Sequence, residues 1–257
     1  MSVLSLSDLS VSRGRREVVR KVSFNAEAGE FIGLLGPNGA GKTSLFRAVL
    51  GLLPHRGQSS LSSMAARDRA LHAAWAPQAR EIAWPIAVET LVMLGRLPHL
   101  AAGAHPSVRD HEAVADALAR MELEALAKRP ATGLSGGEQA RALLARVLAQ
   151  DTPLILADEP IAGLDPAHQI STMVAFRDLA AEGRTLIVSL HDLGLAARYC
   201  TRMIVLSDGE LAADGTPDQV LTSDILARVF GIRAYVAETE HGLVVQPEAV
   251  LSPVERP

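Results

Sequence analysis

Residues 36–43 have the composition and spacing of a loop that binds phosphate groups. They read Gly36, Pro37, Asn38, Gly39, Ala40, Gly41, Lys42 and Thr43. In such a loop the glycines let backbone N–H groups face phosphate oxygens, the lysine reaches the terminal phosphates, and the threonine hydroxyl can ligate Mg²⁺. The apolar run Phe31–Leu35 precedes the loop and a helical pattern begins at residue 42, which is the context that this chemistry needs. The segment therefore predicts a nucleoside triphosphate site.

Three polar residues follow two further apolar runs that are typical of buried strands. Asp158 and Glu159 come after Leu154–Ala157, and His191 comes after Thr185–Leu190. Ligands of open α/β sheets bind at the carboxyl ends of the strands, so we expect these residues at one edge. There Asp158 can hold Mg²⁺, and Glu159 can polarise a water molecule as general base. Taken alone, the same residues are typical of a solvated strand end and a helix start. The phosphate loop favours the catalytic interpretation.

The segment Leu134–Glu138, which reads LSGGE, raises a question because it looks like a second anion site. Gly136 and Gly137 stand at a predicted helix start, where bare backbone N–H groups suit an anion. Each glycine costs a helix roughly 0.5–1 kcal/mol relative to alanine. Taken alone, the segment is more typical of an ordinary capped helix start.

The elements that must position these residues follow from hydrophobic periodicity. Short apolar runs alternate with helical patterns at about 42–52, 107–127, 135–150, 166–182 and 192–199. This alternation predicts an α/β fold with a parallel sheet. No convincing strand lies between about 84 and 150, which indicates a helical insertion. The first 30 residues alternate in polarity and predict a small antiparallel sheet, and a strand pair is expected near the C-terminus.

The composition narrows the class of protein. The 257 residues are 48% hydrophobic, enough for a substantial core, and the net charge of −4 argues against a protein that coats nucleic acid. Cys200 is the only cysteine, which fits a reducing compartment. We find no signal peptide and no apolar run of the ~18–20 residues that span a bilayer. The histidines at 99, 105 and 111 lack zinc-site spacing, and the arginines at 13, 15, 16 and 20 are interpreted as a solvated edge.

Taken in order, these motifs resemble those of the nucleotide-binding subunit of ABC transporters. The resemblance covers about residues 1–232 and adds Gln78 as the Q-loop glutamine, Ala162–Asp165 as the D-loop and His191 as the switch histidine. It implies a P-loop NTPase (RecA-like) α/β core with an antiparallel β-subdomain and an inserted helical signature subdomain at about 84–150. Residues 233–257 are expected to be a C-terminal extension packed on the domain.

The resemblance also answers the question of the second anion site. In this family two subunits pack head to tail, and the signature segment of one completes the ATP site of the other. It implies Glu159 and His191 as catalytic residues and Thr43, Gln78 and Asp158 around Mg²⁺. The implied nucleotide-binding residues are Arg13, Gly36, Pro37, Asn38, Gly39, Ala40, Gly41, Lys42, Thr43, Ser44, Ser135, Gly136, Gly137 and Asp165.

Several segments are similar to those of importers for iron–siderophore complexes, haem and vitamin B12. They are Val88–Leu100, His191–Cys200, Asp208–Leu221, Val229–Ile232 and the tail containing GLVVQP. The resemblance implies a homodimer on the cytoplasmic face of the inner membrane, held by two permease subunits and served indirectly by an external substrate-binding protein. It implies no nucleic-acid partner. The alternatives are a soluble non-transport ABC ATPase, an adaptor without turnover, or a subunit for another substrate class.

The sequence departs from the family pattern in places. Arg13 stands where an aromatic residue usually stacks on adenine, and its planar guanidinium can also stack on a base. A solvated arginine is the alternative. Ala140, Ile161 and Gly194 replace residues that are more usual in the family. The resemblance also makes Glu81, Trp84 and Arg96 candidates for permease contacts.

Overall fold

The computed structural model describes residues 2–79, 81–101, 103–240 and 242–252. Its strands are β1 (Ser2–Arg13), β2 (Arg16–Glu27), β3 (Phe31–Leu35), β4 (Arg56–Ser59), β5 (Ala73–Ala76), β6 (Leu154–Asp158), β7 (Thr185–Ser189), β8 (Arg202–Ser207), β9 (Glu210–Gly215), β10 (Ile232–Thr239) and β11 (Gly242–Val250). Its α-helices are α1 (Lys42–Val49), α2 (Ala66–His72), α3 (Val88–Met93), α4 (Val108–Arg120), α5 (Gly136–Ala149), α6 (Pro166–Ala181), α7 (Leu193–Tyr199), α8 (Pro217–Val220) and α9 (Ser223–Ile225). None of the helices in these ranges is long and apolar enough to cross a membrane.

The central sheet has the order β5-β6-β7-β3-β8-β9 and is parallel except for β9. Every residue of β3, β6 and β7 is buried, as expected for strands covered on both faces. The predicted α/β fold is confirmed. Sequence reasoning missed β5, because its Ala-Ala-Trp-Ala sequence has few of the β-branched residues that mark strands. The hydrogen bonds between β5 and β6 stabilise this strand despite its low intrinsic preference for the β conformation.

The predicted antiparallel sheet near the N-terminus is also present, with the order β2-β1-β4. Side chains of β1 and β2 alternate between buried and exposed over much of their length. Their apolar side chains join those of Ile32, Leu34, Leu45 and Phe46 in one hydrophobic cluster. This cluster fixes the antiparallel sheet against β3 and α1, the two elements that flank the phosphate loop.

Residues 84–150 form the helical region that the sequence predicts. It comprises α3, a 3₁₀-helix at Leu94–His99, α4, two short 3₁₀ turns and α5, and the described part of this range has no strand beyond a single bridge between Ala87 and Pro130. Helix α4 ends at Arg120, earlier than the expected residue 127. The reason is local: Glu122 adopts a φ of 55°, in the left-handed region that terminates helices.

A buried ion pair holds this helical region together. The Arg96 guanidinium donates to Asp110 on α4 (Nε to Oδ1, 2.8 Å) and to the carbonyl oxygen of Ala149 at the end of α5 (2.8 Å). Arg96 is only 2% exposed, so its interpretation as a permease contact is wrong. Hydrogen bonds from Ser107 and Arg96 hold the pKa of Asp110 far below its usual range. Glu81 and Trp84, the other two candidates, are exposed.

The C-terminal strands β10 and β11 form the expected antiparallel pair. β11 lies against α7, and Val245 of β11 belongs to the same buried hydrophobic core as Leu193 and Ala197 of α7. Residues 253–257 of the predicted 233–257 extension, and His241 within it, lie outside the described residues. The division of the chain at residue 232 therefore stays a prediction.

Candidate functional site

The phosphate loop connects the carboxyl end of β3 to the N-terminus of α1. Gly36, Gly39 and Gly41 have φ values of 143°, 82° and 104°, which side chains disfavour. A Cβ on Gly36 would lie 2.2 Å from the carbonyl oxygen of Leu206, and one on Gly41 would lie 2.4 Å from that of Val18. Glycine is therefore required at both positions, and the loop closes tightly between neighbouring strands.

Lys42 is buried within this loop. Its ammonium donates to the carbonyl oxygens of Gly36 (2.6 Å) and Pro37 (3.2 Å), so the side chain curls over the loop. Burial lowers the pKa of Lys42, while the charges of Glu159 and Asp158 oppose this shift. These two contacts hold the ammonium at the phosphate loop, as a phosphate-binding lysine must be held.

A chain of hydrogen bonds joins the phosphate loop to the ends of β6 and β7. The Thr43 hydroxyl donates to Asp158 Oδ2 (2.6 Å), and the Ser189 hydroxyl donates to Asp158 Oδ1 (2.7 Å). Ser189 also accepts from the backbone N–H of Glu159 (2.8 Å). Sequence reasoning missed Ser189. The available signal was a hydroxyl residue ending a strand whose preceding residues, Leu186, Ile187 and Val188, are all apolar.

Glu159 stands between two other predicted site residues. Its carboxylate accepts from Gln78 Nε2 (Oε2, 2.8 Å), and His191 Nε2 lies 2.6 Å from Oε1. Glu159 has a φ of 50°, a left-handed conformation that costs a non-glycine residue about 1–2 kcal/mol. Such outliers concentrate at functional sites. Gln78, Glu159 and His191 thus come together because each follows the carboxyl end of a strand, β5, β6 and β7 respectively.

Gln78 and Glu159 border a cavity of about 550 Å³ beside the phosphate loop, whereas His191 is not part of its lining. Its lining includes Gln78, Glu159 and the predicted Arg13, together with residues that were not predicted: Arg16, Val18 and Arg47. The described lining includes neither Ser135, Gly136 and Gly137 nor Asp165. The predicted site residues therefore fall into two groups. The phosphate loop, Gln78 and Glu159 surround one cavity, whereas the signature segment and Asp165 lie outside it.

The signature segment caps the N-terminus of α5 with its own side chains. Ser135 Oγ accepts from the backbone N–H of Glu138 (3.3 Å), and the Glu138 carboxylate accepts from the Ser135 backbone N–H (2.7 Å). The hydrogen bonds from Ser135 lower the pKa of Glu138. A Cβ on Gly136 would have no atom within 4 Å, and one on Gly137 would only touch Leu164 at 3.7 Å. Packing within the described chain does not require either glycine.

Asp165, the last of the predicted nucleotide-binding residues, caps α6. Its carboxylate accepts from the backbone N–H of His168 (3.0 Å) and lies 2.6 Å from Nδ1 of the same residue. The side chain is exposed. Hydrogen bonding to His168 lowers the pKa of Asp165. In this chain it acts as a helix cap.

Comparison with known proteins agrees with this geometry. The profile of the family described as ABC transporter matches residues 19–162. The hemin import ATP-binding protein HmuV of Pseudomonas entomophila is 42% identical over 257 residues, with 95% of this chain and 99% of the relative covered. The HmuV of Thermobifida fusca is 42% identical, with 89% and 82% covered.

A solved structure described as a metal-chelate type ABC transporter in an inward-facing conformation is 25% identical, with a TM-score of 0.84 and 99% of each chain covered. More than half of this chain matches the family profile, and the relatives are alike over most of their length. The chain therefore belongs to the ABC transporter family, as an ATP-binding subunit whose hydrolysis of ATP is coupled to transport.

Proposed function

We propose that this chain energises an importer of metal chelates of the haem type, as a homodimer bound to two permease subunits at the cytoplasmic face of the cell membrane. The class of cargo is supported by relatives named for hemin import, at about 40% identity over most of the chain. Iron–siderophore complexes and cobalamin belong to the same broad chelate class. An external substrate-binding protein would deliver the cargo to the permease.

The observation that carries the proposal is the division of the site. Lys42, Thr43, Asp158 and Glu159 are joined by hydrogen bonds or line one cavity. The signature segment presents exposed backbone at Ser135 and Gly136 that the described chain leaves uncovered. Two chains packed head to tail would cover each signature segment with the nucleotide of the partner.

Mg²⁺ fits the donor set of this site. Thr43 and Asp158 offer oxygen atoms that lie 2.6 Å apart, and Mg²⁺ prefers such hard oxygen ligands. Thr43 and Asp158 would hold the ion, with Gln78 reaching it from the β5 loop. The ion, when bound, would neutralise charge on the β- and γ-phosphates. Ser189 keeps the Asp158 carboxylate oriented by its hydrogen bond to Oδ1.

The remaining residues would act directly on the reacting groups. Lys42 and the N–H groups from Gly39 to Ser44 would bind the phosphates, and Arg13 would stack on the base. Glu159 would accept a proton from the attacking water, and His191 would contact the γ-phosphate. The 2.6 Å contact between His191 and Glu159 would hold both side chains in place before the nucleotide closes the site.

The test uses two substitutions in the purified full-length chain. Glu159→Gln should bind ATP and accumulate as a dimer, which light scattering detects as a doubling of mass. Adding Ser135→Arg should abolish the dimer while ATP binding by the single chain stays within about twofold. We expect this small change in ATP affinity because Ser135 does not line the cavity of its own chain.

A dimer that persists with Ser135→Arg would contradict the head-to-tail arrangement. The cargo needs a separate test: the tagged chain, extracted with mild detergent, should co-purify with a polytopic permease. Vesicles containing that complex should take up haem only with ATP. A chain bound to ribosomes or DNA would favour the non-transport alternative.

A further inference from the structure

Helix α7 begins two residues after His191 and therefore determines how the chain continues from that residue. On the other side, the end of β7 is fixed, because the backbone N–H of Leu190 donates to the carbonyl oxygen of Leu34 on β3 (3.2 Å). Asp192 caps α7, and its carboxylate accepts from the backbone N–H of Leu195 (2.8 Å). His191 thus lies between a fixed strand end and a helix start, so its direction depends on where that helix is held.

Helix α7 has little stability of its own. It has only 7 residues, whereas isolated helices shorter than about 12–15 residues are marginal in water. Gly194 in its first turn lowers the helix propensity further. Packing must therefore hold the helix in place, and the elements packed against it include α6 and strand β11.

Strands β10 and β11 form a separate two-stranded sheet, which we call the C-terminal hairpin. Such a hairpin is also marginal alone. Val236 and Leu243 pack against the main hydrophobic core, and Val245 is buried in it, with 7% of its surface exposed. Its neighbour Val244 is 44% exposed, as expected for successive residues of a strand. The hairpin and α7 therefore stabilise each other through the inward face of β11.

The backbone of β11 passes close to the first turn of α7. A Cβ on Gly194 would lie 3.7 Å from the carbonyl oxygen of Val245 and 3.3 Å from Oδ1 of the capping Asp192. A longer side chain at this position would have to fit between the cap and β11. Gly194 thus leaves room for β11 beside the residues that directly follow His191, which gives this glycine a structural reason.

We propose that the C-terminal hairpin holds His191 in position for ATP hydrolysis, with Val245 acting through α7. Val245 is a positioning residue, because it is not among the described residues that line the nucleotide cavity. It fixes the helix whose start directs His191 toward Glu159, where Nε2 lies 2.6 Å from Oε1. The inference rests on the catalytic role proposed for His191 and extends it to a part of the chain outside the cavity.

The first measurement follows His191 without turnover. Ring C–H correlation spectra are recorded for the full-length chain labelled with ¹³C-histidine, with no nucleotide added. The signal that is missing from His191→Ala identifies this residue among the 8 histidines. Val245→Ala should shift that signal toward the position of a free histidine, because the contact with Glu159 is populated less. Val244→Ala, the matched control on the exposed face of the same strand, should leave the signal in place.

The second measurement is steady-state ATP hydrolysis by the same chains. Val245→Ala should lower kcat by about three- to tenfold, the effect of a misdirected catalytic group, with the KM for ATP within about twofold. Val245→Ile keeps the buried apolar contact and should hydrolyse ATP like the unmodified chain, as should Val244→Ala. Val245→Thr, which keeps the size of the side chain but weakens its apolar contact, provides the same test if the alanine variant does not fold.

The positioning role is overturned if Val245→Ala leaves the His191 signal and kcat unchanged. It is also overturned if Val244→Ala has an equal effect, since that would indicate a general loosening of the hairpin, or if only KM changes. Hydrolysis at the normal rate in His191→Ala would instead refute the catalytic role proposed for His191. The spectra separate the two failures, because they report the position of His191 whether or not that residue takes part in catalysis.

Discussion

The phosphate loop and the signature segment are both glycine-containing helix starts, but the chain treats them differently. Around the phosphate loop, Gly36 and Gly41 are required by close backbone contacts, and Thr43 is tied to Asp158. At the signature segment, a Cβ on Gly136 would meet no described atom within 4 Å, and among the described residues Ser135 forms hydrogen bonds only within its own helix start. The first region serves this chain, whereas the second is suited to a ligand held by another.

Glu159→Gln is the sharpest way to separate chemistry from binding in the first region. The amide retains a hydrogen-bond acceptor for Gln78 but cannot take a proton from water. We expect steady-state ATP hydrolysis to fall by about 10²- to 10⁴-fold, the usual contribution of a general base. ATP affinity should stay within a few fold. Hydrolysis near the normal rate would show that Glu159 is not the base.

Asp110→Asn tests the helical region that carries the signature segment. Loss of this carboxylate leaves Arg96 buried with an unbalanced charge, which costs about 3 kcal/mol of the free energy of unfolding. Single-chain ATP binding should persist, because Asp110 is outside the nucleotide cavity. Asp116→Asn, on the same helix, is the matched control: its pair with Arg120 is exposed and should contribute less than about 1 kcal/mol.

The cost of Asp110→Asn should also depend on pH. The folded-state pKa of Asp110 is depressed, so its contribution to stability is fully present above the unfolded-state pKa of about 3.9. That contribution is lost as the pH falls from there through the folded-state value. Urea titrations at neutral pH and below about pH 3.5 should therefore show a smaller difference between variant and unmodified chain in acid. A constant difference would contradict the ion-pair account.

Ser189→Ala has a smaller predicted effect, confined to the first region. It removes one hydrogen bond to Asp158 and one from the Glu159 backbone. We expect the Mg²⁺ concentration for half-maximal hydrolysis to rise by about tenfold, as for other residues that orient a metal ligand. Ser207→Ala, at the end of β8, which β3 separates from β7 in the sheet, should leave this concentration unchanged. Equal effects of the two variants would rule out an orienting role for Ser189.

Gly136→Ala should have the smallest effect on the stability of the chain itself. It also tests most directly whether the signature segment differs from the phosphate loop in serving a partner chain. A methyl group meets open space there, so the isolated chain should gain about 0.5 kcal/mol of unfolding free energy. ATP-driven dimer formation in the Glu159→Gln background should weaken at the same time. A variant that gains stability without loss of dimer would show that glycine is not needed by a partner.

The contrast also explains what the sequence could predict. The sequence predicts that the phosphate loop, Asp158, Glu159 and His191 lie at one edge of the sheet, because each follows an apolar run, and the structure brings them together there. β5 and Ser189 were missed because an Ala-rich strand and one buried hydroxyl acquire meaning only through pairing with distant residues. Arg16 and Arg47 resembled ordinary surface residues until β2 and α1 were seen to border one cavity.

The left-handed backbone of Glu159 has a consequence for laboratory evolution. Asparagine and glycine tolerate that conformation better than glutamate, so replacing Glu159 by either should relieve backbone strain while removing the carboxylate. A selection that scores heat resistance alone would then enrich chains that lack the proposed general base. With Glu159 as the proposed general base, its carboxylate would be kept only when turnover itself is selected.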